Sequence, residues 1–257
     1  MGARCRDRRL QRVSSANDEK NSASRLERLQ DTLFRSFLQR TSRTVLSGDT
    51  MMHQALGPVW HRQHQRQRLI PHGLRGLDRE ATWSYRKSDG WVYGYGSCCL
   101  VSHAPVVLGA CKAMRNSAHE AKRLWWETGP LKGLVQTVMM DSKDDDQALF
   151  GEFRRQRGMT LLTWPRRNRD HTAKRRAMIR LLHSPRSTRL YKERGQTVEP
   201  MQGLVKEIFG LERCWRRGHR NNRWLLAAMG VAVPLHQAKA LKEERSTWRI
   251  TQEVLGL

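Results

Sequence analysis

The sequence predicts a mixed α/β fold: one layered domain with helices packed on a sheet. Short apolar runs rich in β-branched or aromatic residues recur at 44–50, 90–102, 105–110, 134–140 and 159–164, each of strand length. Segments with a helical apolar period stand before, between and after them, at 24–40, 116–127, 144–156 and 222–236. The chain has 257 residues, 38% of them hydrophobic, which suffices for one sizeable core, or one domain with an appendage. Helices laid on a sheet satisfy that element order most economically.

The elements follow in order. Residues 1–23 are basic, then Ser/Asn-rich, and short of large apolar side chains, so disorder is expected there. From Ser24 to Arg40 the residues Leu26, Leu29, Leu33, Phe34, Phe37 and Leu38 make one helical stripe. Thr44–Thr50 reads as a strand carrying Asp49 at its end, and 51–80 as a loop. His61 and His64 in that loop lack an acid or cysteine at ligand spacing and read as surface or phosphate contacts. Gly90–Ser102 alternates and is aromatic-rich. It reads as a strand, paired as a hairpin with the run from Pro105. After the helix 116–127, the run Leu134–Met140 is a strand that stops at Asp141. The helix 144–156 and the strand Met159–Trp164 complete the alternation before Pro165. Thr197 suits the cap of a helix whose first turn holds Glu199 and Pro200, where proline is tolerated. The last apolar helix, 222–236, is expected to be interrupted at Pro234, with a charged tail beyond.

Charge selects the class of partner. There are 48 Lys+Arg against 24 Asp+Glu, a net charge of +24, and the pI is near 11.1. Each phosphate neutralised by such a chain releases a counterion, so a polyanion is the favoured partner. No apolar run approaches about 18 residues, which argues against a membrane span. The basic start Met1–Arg9 has no apolar segment behind it and is no signal peptide. Cys5, Cys98, Cys99, Cys111 and Cys214 form no CxxC pair, so neither a disulfide framework nor a zinc knuckle is indicated, and a cytoplasmic location is expected. Nine tryptophans and a mean hydropathy of -0.73 fit a folded, highly charged protein. Nothing calls for a small-molecule cofactor.

The basic charge is concentrated. From Glu152 to Arg194 there are 14 Lys/Arg and 3 Asp/Glu, a local net of +11. Arg166, Arg167, Lys174, Arg175 and Arg176 within it are candidates for contact with a DNA backbone. Three carboxylates stand out against this background. Asp49 and Asp141 each end a predicted strand, where side chains can converge at one sheet edge, and Glu199 lies on a helix that can close over that edge. Such oxygens are the ligands Mg2+ or Mn2+ prefers. Two ions about 3.5–4 Å apart would clamp the attacking and leaving oxygens of a phosphodiester. Asp78 and Asp89 remain rivals to Asp49, and Asp144, Asp145 and Asp146 to Asp141, although the latter three suit a helix N-terminus better.

Tyr191, Arg194, Glu199 and Lys206 together resemble the Tyr-Arg-Glu-Lys signature of DDE transposases from bacterial insertion sequences. Four residues separate Arg194 from Glu199, where the commonest form of the signature has three. The following Phe209–Arg213, Arg217-Gly218 and Trp224–Gly230 are similar to that family's C-terminal part. Met140-Asp141-Ser-Lys-Asp-Asp-Asp resembles its second-aspartate motif, and Trp91–Gly96 the strand after the first aspartate. The resemblance covers roughly 44–236. It implies a ribonuclease-H-like mixed sheet with flanking helices and a basic insert before the last catalytic helix. It also implies dependence on Mg2+ (or Mn2+), with Asp49, Asp141 and Glu199 as catalytic metal ligands and Tyr191, Arg194 and Lys206 on DNA near the cleaved phosphate. The partners implied are double-stranded DNA, both element ends and target, with a homodimer on DNA left open. On this reading 1–43 is a basic, partly disordered segment with one helix, 44–236 the catalytic domain, and 237–257 a charged tail. Family members usually carry more before the first aspartate, so the chain reads as N-terminally truncated. The expected reaction is hydrolysis of a phosphodiester at an element end, then attack of the freed 3′ hydroxyl on target DNA. A non-catalytic basic DNA-binding protein and a nuclease on the same fold are the rivals.

Overall fold

Val45–Gln54 (β1) lies in the middle of a six-stranded mixed sheet. The structure is a computed structural model. It describes residues 3–41, 44–86, 90–103, 105–165 and 172–247, excluding the side chains of 3–21, Asp144, Lys174 and Arg175. Around β1 the chain runs α1 (Ala3–Thr41), α2 (Arg62–Arg66), β2 (Thr82–Arg86), β3 (Gly90–Ser102), β4 (Leu108–Arg115), α3 (Glu120–Glu127), β5 (Thr137–Met140), α4 (Gln147–Glu152) and β6 (Thr160–Thr163). It then continues through α5 (Ala173–Leu182), α6 (Pro185–Arg194), α7 (Val198–Phe209) and α8 (His219–Lys242).

β1 pairs antiparallel with β3, and β3 antiparallel with β4. On its other side β1 pairs parallel with β5, and β5 parallel with β6. The order β4-β3-β1-β5-β6, with β2 on the first half of β3, is a ribonuclease-H-like mixed sheet with flanking helices. The Gly90–Ser102 strand and a hairpin after it are as the alternation predicts, but the partner β4 begins at Leu108 and runs to Arg115 instead of covering 105–110.

The period of two along β1 divides its side chains between two cores. Leu46 joins Phe34, Leu38, Leu100, Leu124, Val138 and Phe153 under α1, α3 and α4. Met51 joins Cys99, Val101, Val198, Met201, Val205, Met229 and Val233 under α7 and α8. Burying each large apolar side chain is worth about 1.5–3 kcal/mol. Asp49 shares the parity of Met51 and therefore faces α7. Gly48 faces the opposite layer, where a Cβ would stand 3.0 Å from Leu124 Cδ2.

Several elements depart from the sequence expectations. α1 begins at Ala3, well before the apolar stripe at Leu26, so the helix covers ground where disorder was expected. β2 lies inside no predicted strand, because Thr82–Arg86 has no fully buried face to mark it. α8 continues through Pro234 to Lys242. Proline removes one N–H, but Val231, Val233, Gln237 and Ala240 are buried on both sides of it and hold the helix together. The residues after His236 therefore begin as packed helix: Gln237 is fully buried and its Oε1 accepts from Leu108 N at 2.8 Å.

Candidate active-site cleft

Asp49 is brought to its place by the centre of the sheet. It sits opposite Cys99 on β3, five residues before the end of β1. Its Oδ1 accepts the N–H of Thr50 at 2.7 Å, which fixes the carboxylate in mid-strand and not at a strand end as the sequence predicts, because β1 runs on to Gln54. Asp141 follows the last residue of β5, the parallel neighbour of β1, and its Oδ1 accepts Ser142 N at 2.6 Å. Glu199 stands in the first turn of α7 with its side chain 65% exposed. These three carboxylates line one cleft of about 850 Å³, together with Glu120, Lys143 and Lys206. Tyr85 and Arg86 of β2 complete one wall.

Arg194 approaches Asp49 from the end of α6. Its side chain is 8% exposed, and Nη2 lies 3.1 Å from Asp49 Oδ2. Nη1 is 3.8 Å from Glu199 Oε1. Its Nε and Nη2 have no hydrogen-bond partner among the described residues. The contact of Nη2 with Asp49 is thus an ion pair without hydrogen-bond alignment, and both nitrogens are buried, so the guanidinium acts on Asp49 rather than on the open cleft. Tyr191 lies one helical turn earlier, with its hydroxyl donating to Met140 O at 3.3 Å. It thus braces the strand end that carries Asp141, and does not line the cleft. Thr197 occupies the N-cap of α7 as expected, but its hydroxyl does not cap the helix. The hydroxyl donates instead to Arg194 O at 2.9 Å and meets Ser47 Oγ at 3.2 Å, tying α7 to β1.

Below the site, His103 Nε2 lies 2.7 Å from Ser47 Oγ, and burial lowers its pKa against the pull of Glu193. At the far end of β1, His53 Nδ1 meets Leu211 O at 2.5 Å, so Nδ1 carries the proton. Nε2 then accepts from Ser97 Oγ at 2.8 Å. Burial pulls the pKa of His53 down to about 4.

Of the rivals to Asp49, Asp78 is excluded. It is 3% exposed and wholly engaged: Oδ1 accepts from Tyr95 Oη at 2.7 Å and Oδ2 from Gly218 N at 2.9 Å. Asp89 lies outside the described residues. Asp146 caps α4, accepting from Ala148 N at 2.8 Å, as its position before a helix suggests. In the basic insert, Arg176 is exposed on α5. Arg166 and Arg167, and the side chains of Lys174 and Arg175, lie outside the described residues.

The sequence reading missed Glu120 and Lys143 as cleft residues. Lys143 Nζ lies 2.6 Å from Glu120 Oε2 and 3.7 Å from Asp49 Oδ1. Glu120 opens α3, and a strand-to-helix junction beside the central strands is the available signal for it. As a donor set, four carboxylates in one cleft fit a hard divalent cation in kind. They do not converge as they stand: among the described residues, no three His, Cys, Asp or Glu side chains form a group that could hold an ion. The positive charge beside Asp49 is supplied by Lys143 and Arg194. Among the described residues no helix is long and apolar enough to cross a membrane.

No protein-family model and no curated protein matches the chain. A solved cryo-EM structure of piggyBac transposase, a synaptic complex with hairpin DNA, is similar over 82% of this chain and 51% of that one. The identity is 9% and the TM-score 0.48, and this chain spans about half the length of that protein.

Proposed function

We propose that the chain is a DDE-type transposase acting on double-stranded DNA, with 44–236 as its catalytic domain. One observation carries this reading. Asp49, Asp141 and Glu199, drawn from β1, the end of β5 and α7, line a single cleft in a chain of net charge +24. Asp49, Asp141 and Glu199 would hold the divalent ion, Mg2+ or Mn2+. When bound it supplies Lewis-acid polarisation of the scissile phosphate and charge neutralisation at the leaving oxygen. Lys206, on the cleft-facing side of α7, attracts the phosphate backbone, and Arg194, a DNA contact on the sequence reading, acts by holding the Asp49 carboxylate through Nη2. Tyr191 holds the end of β5 in place through Met140 O. Carboxylates for a metal and cations for DNA are the two halves that phosphodiester chemistry needs.

The test is nicking and joining of a labelled duplex that carries the flanking inverted repeat, with and without Mg2+. Wild type should cut and join; Asp141→Asn and Glu199→Gln should lose at least about 100-fold while keeping DNA affinity. Cleavage that persists in Glu199→Gln would sink the assignment. Cutting without joining would assign a nuclease on the same fold.

The ammonium of Lys143, between Asp49 and Glu120, favours a second reading: a DNA-binding protein in which the carboxylates are neutralised internally. That protein would bind DNA with the same affinity in EDTA as in Mg2+ and would cut nothing.

A further inference from the structure

We infer that a pocket at the start of α8 receives an unpaired nucleobase of a DNA strand leaving the cleft, an inference that rests on the DNA reading above. Trp215, Arg216, Arg220, Asn221, Trp224 and Leu225 enclose about 470 Å³, within the usual size range of small-molecule sites. Trp215 is 54% exposed and Trp224 44%. A single exposed apolar residue on a soluble protein is ordinary. Two half-exposed indoles on one cavity, flanked by two guanidinium groups, form a different surface. Indole faces stack on any nucleobase, and arginine adds both cation–π attraction and a phosphate contact.

The helix end does not explain the site. The N–H groups of Gly218 and His219 are already taken by Asp78 Oδ2 and Glu80 Oε2, each at 2.9 Å. Anion recognition therefore falls to Arg216 and Arg220. The pocket is also joined to the cleft by backbone. Cys214 N donates to Gln54 O at 2.7 Å, and Gln54 N to Glu212 O at 2.9 Å. Asp49 is five residues from Gln54, about 17 Å along a strand, and α7, which carries Glu199 and Lys206, leads directly into the Leu211–Trp215 segment. The pocket therefore lies within reach of a strand that leaves the cleft along β1. Bases inside a duplex are stacked and cannot enter it, so the occupant is a base at a strand end or one turned out of the helix.

The full chain would be titrated with labelled oligothymidylate and with a blunt duplex of equal length, and thymidine monophosphate would be offered as competitor. Trp224→Ala and Trp215→Ala should each weaken oligothymidylate binding by about 5- to 150-fold, with duplex affinity unchanged. Trp224→Phe should recover most of the loss, and the free nucleotide should not compete. Each variant must show wild-type circular dichroism, and two independent positions guard against one that does not fold. Unchanged oligothymidylate affinity in both alanine variants overturns the inference. So does a parallel loss on duplex, or effective competition by the mononucleotide. Wild type that binds duplex but not oligothymidylate overturns the pocket and leaves the DNA reading standing, whereas binding to neither removes both.

Discussion

Arg194 combines features that rarely coexist: an almost buried side chain, an ion pair from Nη2 to a carboxylate at 3.1 Å, and an Nε without a hydrogen-bond partner among the described residues. Removing one partner of a buried ion pair leaves the other charge uncompensated, which costs more than the pair itself contributes. Arg194→Met is therefore expected to destabilise the fold by about 1–3 kcal/mol, and Asp49→Asn in the same chain to return part of it. Urea melts of the two single variants and the double variant measure this; simple additivity would show that the two groups do not interact. His53 makes a prediction of opposite character. Its pKa is depressed to about 4 from 6.5. Between those values the unfolded chain binds a proton that the folded chain does not. The corresponding stability is full above pH 6.5 and is lost as pH falls to about 4, a change of about 3 kcal/mol. His53→Gln, which keeps a donor and an acceptor, should flatten the stability profile across that window.

At the scale of elements, α1 is held by close approaches. Its Phe34 ring lies where a Cβ on Gly109 of β4 would stand, at 2.1 Å. Its Gln30 meets Gly230 of α8, with a Cβ position 1.9 Å from Nε2. Gln30 is fully buried, and among the described residues neither its Nε2 nor its Oε1 has a hydrogen-bond partner. Gln30→Met should raise stability by about 1–3 kcal/mol, because it removes two desolvated polar atoms at similar volume. Gly109→Val should lower it by clashing with Phe34. Thermal melts read both, and a destabilised Gln30→Met would mean that its amide is satisfied. These contacts also show what the sequence made legible. β3 was readable along its whole length because its alternation and aromatics are local. Asp141 and Glu199 were readable because each sits at an element boundary marked by residue type. β2 was not, since what makes Thr82–Arg86 a strand is its pairing with β3. The end of α8 was misread at Pro234 because local propensity lost to packing. Glu120 and Lys143 were invisible as cleft residues because only the fold brings α3 beside Asp49.

For the whole molecule, the net charge of +24 makes the proposed DNA binding testable by salt, because each phosphate that a Lys or Arg neutralises releases a counterion. The logarithm of the binding constant should fall linearly with the logarithm of salt concentration, and Lys206→Ala should reduce the slope by about 1. An unchanged slope would place Lys206 off the phosphate backbone. The connections that close the site are long. His53 meets Leu211 across 158 residues, Thr197 meets Ser47 across 150, and Gly218 meets Asp78 across 140. Ribosomes add about 5–20 residues per second. The middle strand of the sheet thus leaves the ribosome roughly 8–30 seconds before the segment that fastens its far end. Over the later part of that interval a nascent chain displays Met51, Cys99 and Val101 without the helices that cover them, which makes it a natural client for a holding chaperone.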